Sequence, residues 1–161
     1  MNAKEKIIIK MILSAWQSGL QGINKTLSVL SDEDLNLEVA SGRNKAAWIV
    51  GHLAAVNDTL FKILELDEKV NPTYERHFIQ GEAGIEIPSV SEIRKYWEDT
   101  STQLNKKIAA LTTNDWFQKH SLVSSEDFAK EPHRNKLNVL MSRTSHLAYH
   151  HGQLAFLKKR K

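Results

Sequence analysis

Apolar residues recur every three or four positions in four long stretches of the chain, which is the spacing of one buried face of an α-helix. The pattern predicts helices over about residues 3–30, 44–66, 89–111 and 135–159. We find no strand-like alternation of apolar and polar residues and no internal repeat. Four long helices predict an all-α fold, a four-helix bundle that forms a single domain over residues 1–161.

Shorter signals between these stretches predict further turns of helix. Ser31 precedes three acidic residues, an arrangement suited to capping a short helix. Ser89 and Glu92 have the Ser-x-x-Glu spacing of a capping box at the start of the third long helix. Residues 113–117 are expected to add one more turn, and residues 120–134 are expected to form an exposed loop.

Residues 67–88 form the one long segment that is predicted to be irregular, because they are rich in Asn, Pro, Gly and Glu. Long connections inside a compact domain are usually either functional or disordered. The side chains of Tyr74, Arg76, His77 and Phe78 could close over a site. A solvated connection between two helices is an equally good interpretation.

The composition restricts the chemistry. The chain has no cysteine, which excludes disulfides, zinc sites built from thiolates and a cysteine nucleophile. Any bound metal must therefore take nitrogen or oxygen ligands. The apolar run 7–13 is short, contains Lys10 and lacks a small-residue cleavage site, so neither a signal peptide nor a membrane span is expected. We expect a cytoplasmic protein with no membrane partner.

The net charge of +3 is modest, and several of the basic residues lie in the terminal run 158–161. That run fits a solvated helix end that complements the helix dipole. Basic and aromatic residues are not interleaved elsewhere as they are in proteins that stack nucleic-acid bases. No nucleic-acid partner is expected.

Three histidines are placed to meet between two helices. His146 and His150 are four positions apart, which puts them on one face of the last helix about 5–6 Å apart at Cβ. His52 lies at the edge of the apolar stripe of the second helix. A histidine at that edge could simply make one hydrogen bond, but together the three predict a metal site. His151 is turned about 100° from His150 and is expected to be a core histidine.

The sequence around the histidines argues against two known kinds of metal site, the zinc-protease site and the di-iron site. The spacing of His146 and His150 matches H-E-x-x-H, but Leu147 occupies the position of the glutamate that acts as the base in metalloproteases. The Glu-x-x-His repeats of di-iron bundles are also missing. His120 and His133 have no partner at ligand spacing and are expected at the surface. A mononuclear site is therefore predicted.

Three imidazoles that leave a fourth position open are the arrangement of catalytic zinc. Imidazole also suits nickel, iron and copper, so the residues do not identify the divalent metal. A small-molecule substrate is expected. Arg143 could bind an anionic group of that substrate or pair with an acidic residue of the bundle. Gln153 could orient a ligand histidine or hydrogen-bond to backbone.

Two motifs make the chain resemble the DinB-like metal-binding proteins. They are Trp48-Ile-Val-Gly-His52-Leu in the second helix and His146-x-x-x-His150-His151-Gly152-Gln153-Leu154 in the fourth. The segment Leu30-Ser-Asp-Glu-Asp-Leu35 is also similar to the family. The resemblance covers the whole chain in length and in helix order.

The resemblance implies an up-down-down-up topology and a divalent metal, with zinc or nickel expected, held by His52, His146 and His150. Family members of known activity are transferases or isomerases that use a low-molecular-weight thiol. A thiol cosubstrate is therefore expected to supply the sulfur that this chain lacks. The same likeness extends to relatives with no known reaction, so it implies the site more firmly than the substrate.

Two functional hypotheses follow. The first is a metal-dependent enzyme that transfers or hydrolyses small groups, with a thiol S-transferase as the leading case. The second is a non-catalytic bundle that binds a ligand or partner and keeps the histidines as a structural or vestigial feature. Tyr149 and Phe156 lie on another face of the last helix and could serve a contact in a homodimer.

Overall fold

The computed structural model describes residues 3–68, 71–80 and 88–157, and these residues fold into helices. In chain order the helices are α1 (Ala3–Leu27), α2 (Asp32–Leu35), α3 (Ala46–Ile63), α4 (Pro72–Phe78), α5 (Val90–Ala109), α6 (Thr113–Trp116), α7 (Ser125–Lys130) and α8 (Lys136–Ala155). The β-pairing within the described residues consists of two isolated bridges, Glu38 with Lys45 and Lys119 with Asn135. The prediction of an all-α fold is confirmed.

The four long helices, α1, α3, α5 and α8, are those predicted from the apolar spacing. Helix α8 packs against both α1 and α3, and α3 also packs against α5. Their largest fully buried side chains lie in the core, namely Trp16, Phe61, Ile23, Ile49, Leu53, Leu60, Ile93 and Leu104, and the short helices add Trp116 and Phe78. None of the helices in the described ranges is long and apolar enough to cross a lipid bilayer.

Helices α1 and α8 advance in the same direction where they touch. A Cβ atom at Gly19 would lie 3.6 Å from the side chain of Leu147, and one at Gly22 would lie 2.8 Å from the ring of His151. Residue numbers at the contact therefore increase in the same direction along both helices, so the two helices are parallel. This parallel pair agrees with the first and last helices of the predicted topology, and the complete up-down-down-up order stays a prediction.

Arg94 fastens α5 to the end of α1. Its guanidinium donates to the carbonyl oxygens of Leu27 at 3.0 Å and Leu30 at 2.6 Å. Its Nε donates to the carboxylate of Asp32 at 2.8 Å. These bonds occupy carbonyl groups at and beyond the last turn of α1, which ends at Leu27 rather than near residue 30.

The predicted capping residues form the expected hydrogen bonds at the start of the short helix α2 and of the long helix α5. Ser31 accepts from the backbone N–H of Asp34, and the Asp34 carboxylate accepts from the N–H of Ser31. Ser89 and Glu92 form the same reciprocal pair at the start of α5. The extra turn expected at 113–117 is α6, which Thr112 caps.

Two segments expected to lack helices contain them. The prediction that residues 67–88 are irregular is wrong for α4, which begins with Pro72 in its first turn and buries Phe78. Proline is favourable there because the first helical N–H needs no intrahelical partner. The segment 120–134 contains α7, which the Ser124 hydroxyl caps. The positions 69–70 and 81–87 of the first segment lie outside the described residues.

Helix ends in the structure fall a few residues inside the predicted ones. Helix α3 ends at Ile63, and Glu65 beyond it has a φ of 57°, which the right-handed helix does not allow. Helix α8 ends at Ala155, and positions 158–161 lie outside the described residues. Tyr149 and Phe156 are 64% and 79% exposed. The homodimer for which they were considered stays a prediction.

Candidate metal centre

Helices α3 and α8 bring the three predicted histidines together. The Nε2 atom of His146 lies 3.3 Å from Nε2 of His52 and 3.2 Å from Nε2 of His150. One nitrogen of each ring lies within 4.8 Å of the others, so the cluster could hold a metal ion. The i,i+4 spacing predicted the pair on α8, and the packing of α3 against α8 adds the third histidine.

These separations suit a tetrahedral metal. Zinc–imidazole bonds of about 2.0–2.1 Å at the tetrahedral angle separate neighbouring ligand nitrogens by roughly 3.3–3.4 Å. Two nitrogen–nitrogen distances in the cluster, 3.2 and 3.3 Å, are close to that value. A hydrogen bond between two rings would explain one such contact, but it leaves the convergence of all three unexplained.

The backbone of α4 fixes the ring of His52. Its Nδ1 lies 2.8 Å from the carbonyl oxygen of Phe78, which can only accept a hydrogen bond. The proton is therefore on Nδ1, and the lone pair on Nε2 faces the other two histidines. The ring also stacks on Trp48, with centroids 5.1 Å apart and planes 7° from parallel.

A glycine allows Phe78 to lie this close to α3. A Cβ atom at Gly51 would lie 2.4 Å from two carbon atoms of the Phe78 ring, nearer than packed atoms approach. Phe78 is 1% exposed. The Trp48-Ile-Val-Gly-His52 motif thus contains the candidate ligand His52 and Trp48, whose ring stacks on it. It also contains Gly51, which leaves room for Phe78, the residue whose carbonyl is hydrogen-bonded to His52.

Gln153 fixes the ring of His150 in the same way. The amide oxygen of Gln153 accepts from Nδ1 of His150 at 2.7 Å. With the amide assigned in this orientation, Nε2 of His150 has no proton and its lone pair faces the cluster. This was one of the two roles predicted for Gln153. His150 is 8% exposed, so its orientation is also held by packing.

The electrostatic environment favours neutral rings that can bind a cation. Burial lowers the pKa of His146 to about 4, and the positive charges of its neighbours act in the same direction. Burial also lowers the pKa of His150, and the hydrogen bond with Gln153 opposes that shift. At neutral pH both rings are therefore uncharged, as histidines that bind a metal must be.

A cleft of about 450 Å³ leads to the cluster. His52 and His146 line it, and the apolar side chains of Val56, Ile63 and Leu122 form part of its wall. Small-molecule sites in proteins have about this volume. The histidine cluster is therefore open to a small molecule from this direction.

Arg143 also lines this cleft, one turn before His146 on α8. Its Nε atom is buried without a hydrogen-bond partner. The alternative predicted for this residue, an ion pair inside the bundle, is not found among the described residues. The side chain thus lies where it could contact a ligand of the histidine cluster.

The other histidines lie outside the cluster. Nε2 of His151 is 2.9 Å from the hydroxyl of Thr26, which in turn donates to the carbonyl of Gly22. His151 therefore donates to Thr26 in the core, as predicted. His133 is exposed as expected, whereas His120 is half-buried and accepts from the backbone N–H of Leu122.

Two contributors to the site were not predicted in their observed roles. The carbonyl of Phe78 holds His52, although the sequence singled out only the side chain of Phe78. Backbone carbonyls occur at every residue, so no sequence signal could have identified this one. Trp48 was named only as part of the second-helix motif, and its stacking on His52 follows from the i,i+4 spacing of the two residues.

Comparison with known proteins supports the family to which the motifs pointed. A protein-family model described as the DinB superfamily matches residues 15–154, which include all three histidines and both motifs. No curated protein matches the chain.

Proposed function

We propose that this chain, which belongs to the DinB superfamily, is a metal-dependent enzyme that transfers a small group to or from a low-molecular-weight thiol. His52, His146 and His150 are the ligands of one divalent ion, for which zinc and nickel are the leading candidates. Family membership supports the fold and the type of site. The reaction rests on the chemistry of the donor set and on the access to it.

The observation that carries the proposal is the convergence of three Nε2 atoms beside a cleft that His52 and His146 line. Two of the three rings have their other nitrogen held by an acceptor, the carbonyl of Phe78 and the amide of Gln153. An acceptor at the second ring nitrogen is typical of metal-binding histidines, and it directs the lone pair of Nε2 towards the ion. Three nitrogen ligands leave one coordination position for a small molecule, as in catalytic rather than structural zinc sites.

The bound metal would supply a Lewis acid that lowers the pKa of a thiol and makes it nucleophilic at neutral pH. The chain itself positions the reactants. The half-buried cleft excludes part of the bulk water, and its apolar wall suits the carbon skeleton of an electrophilic cosubstrate. A cysteine-free chain has no thiol of its own to compete for the metal.

Metal content per chain is the first test. We expect about one metal ion per chain after exposure of the protein to zinc or nickel, measured by mass spectrometry after removal of free ions. His146→Ala should lose the metal because it removes the ligand whose Nε2 lies within 3.3 Å of both other Nε2 atoms. His133→Ala, which removes an exposed histidine outside the cluster, is the matched control and should keep it.

Thiol transfer is the second test. The loaded protein is mixed with 2-mercaptoethanol or 3-mercaptopropionate and a chromogenic aryl chloride, and thioether formation is followed by absorbance. Turnover should require metal and disappear in His146→Ala. A protein that binds metal but forms no thioether with any thiol would contradict the enzymatic proposal and favour the non-catalytic bundle. A parent protein that binds neither metal would overturn the three-histidine site itself.

A further inference from the structure

The cleft beside the histidine cluster contains a cation without a counter-ion. Arg143 is half-buried, and its Nε atom is fully buried with no hydrogen-bond partner among the described residues. No salt bridge of Arg143 is found among the residues that the structure describes. Two other arginines of the described residues do have counter-ions. Arg94 pairs with Asp32, and Arg134 pairs with Glu131.

Burying the Nε–H of Arg143 without a hydrogen-bond partner is costly. Burial lowers the pKa of Arg143, and no acidic group of the described residues opposes that shift. A charged group that loses water without gaining a partner costs free energy, so proteins normally pair or hydrogen-bond such groups. The side chain is therefore arranged as one half of an ion pair whose other half does not come from the described part of the chain.

The surroundings of Arg143 indicate what the missing half is. Lys62 lines the same cleft and adds a second positive charge. The one acidic residue among the described lining, Glu75, already has a partner of its own. Val56, Ile63 and Leu122 supply an apolar wall. The lining of the cleft thus combines positive charge with carbon-rich surface.

We propose that Arg143 binds the carboxylate of an organic anion that reaches the histidine cluster through this cleft. The planar guanidinium of arginine matches a carboxylate with two parallel hydrogen bonds, which a lysine cannot do. The ligand is a carboxylate on an apolar skeleton, with its reactive atom towards His146, one helical turn from Arg143. This inference rests on the proposed function for the reaction, but the binding step needs no metal.

Two reactants could carry the carboxylate, the electrophilic substrate or the thiol. Benzoate represents the first and 3-mercaptopropionate the second. Benzamide and 2-mercaptoethanol are their uncharged counterparts. Each is titrated into the metal-free protein, and binding is followed by calorimetry and by the ¹H–¹⁵N resonance of the buried Arg143 Nε–H. The chain has six arginines, so the resonance is assigned by its loss in Arg143→Lys.

At least one carboxylate should shift the Arg143 resonance and bind about tenfold or more tightly than its uncharged counterpart. Arg143→Gln should remove this preference. Arg43→Gln removes an equal charge from an exposed arginine that lines a different cavity, and it should leave the preference intact. If Arg143→Gln does not fold, Arg143→Lys should still weaken binding several-fold, because it keeps the charge and loses the paired geometry.

Whichever carboxylate is preferred identifies the reactant that Arg143 holds. The inference is overturned if neither anion moves the resonance, or if both bind as well to Arg143→Gln as to the parent. Metal content is measured on the same preparations, so the two proposals can fail separately. Loading with metal and no response to either carboxylate would overturn this inference alone, whereas a carboxylate response without metal loading would overturn the proposed function alone.

Discussion

The substitution Gly51→Ala tests whether the close approach of α4 to α3 supports the metal site. The new methyl group would lie 2.4 Å from two ring carbons of Phe78 and 2.8 Å from a third. Ordinary contact begins near 3.4 Å, so the ring has to move by roughly 1 Å. Phe78 is 1% exposed and cannot simply swing into solvent. Its carbonyl, which holds His52, is expected to move with it.

Two effects set the change in stability of the metal-free protein. Overpacking a buried site costs about 1–3 kcal/mol, whereas alanine in place of glycine inside a helix gains about 1 kcal/mol. The net destabilisation should therefore lie between about 0 and 2 kcal/mol. Gly19→Ala is the matched control, because its methyl group would meet Leu147 at an ordinary 3.6 Å. That variant should be stabilised by the higher helix propensity of alanine and should not be destabilised by overpacking.

The affinity of Gly51→Ala for the metal should fall as well. Loss of a hydrogen bond that orients a ligand histidine typically lowers metal affinity 10- to 100-fold. Urea unfolding of the metal-free variants measures the stability term, and competition with a chromophoric chelator measures the affinity. Gly51→Ala that matches Gly19→Ala in both measurements would refute the reasoning. A loss of stability without a loss of affinity would show that the Phe78 carbonyl does not position His52.

Three further changes test other parts of the structure. Gln153→Ala should lower metal affinity about 10- to 100-fold in the same chelator assay, because the ligand histidine one turn before it loses its acceptor. Unchanged affinity would contradict that role. Tyr96→Phe should destabilise the protein by about 1–3 kcal/mol in urea, because the carboxylate of buried Asp58 loses the hydroxyl that donates to it at 2.8 Å. Ser89→Ala should raise the pKa of Glu92, which the Ser89 side chain and backbone hold below its usual value, as an NMR titration would show. Since that folded-state pKa lies below the unfolded one, the stabilisation exists above the unfolded pKa and is lost as the pH falls through the folded one. Ser89→Ala should therefore destabilise at neutral pH and much less in strong acid, and equal effects at both would contradict the cap.

The sequence was most informative where the physics is local. Apolar spacing located α1, α3, α5 and α8 because each helix must bury one face. The caps at Ser31 and Ser89 were visible because a hydroxyl and a carboxylate three residues apart satisfy the first free N–H groups of a helix. Helix ends and the short helices α4 and α7 were harder to predict. Four to seven residues carry too little periodicity, and tertiary contacts such as the burial of Phe78 decide whether they form.

The sequence by itself determined that two histidines share one face of α8, because i,i+4 spacing fixes their separation on any helix. It also determined that the chain lacks thiolate ligands. Only the tertiary structure decided that His52 completes the cluster, since that depends on which faces of α3 and α8 pack together. The carbonyl of Phe78 on His52 and the unpaired Arg143 in the cleft are likewise results of packing. Both depend on contacts between residues far apart in the chain, and no local pattern encodes such a distance.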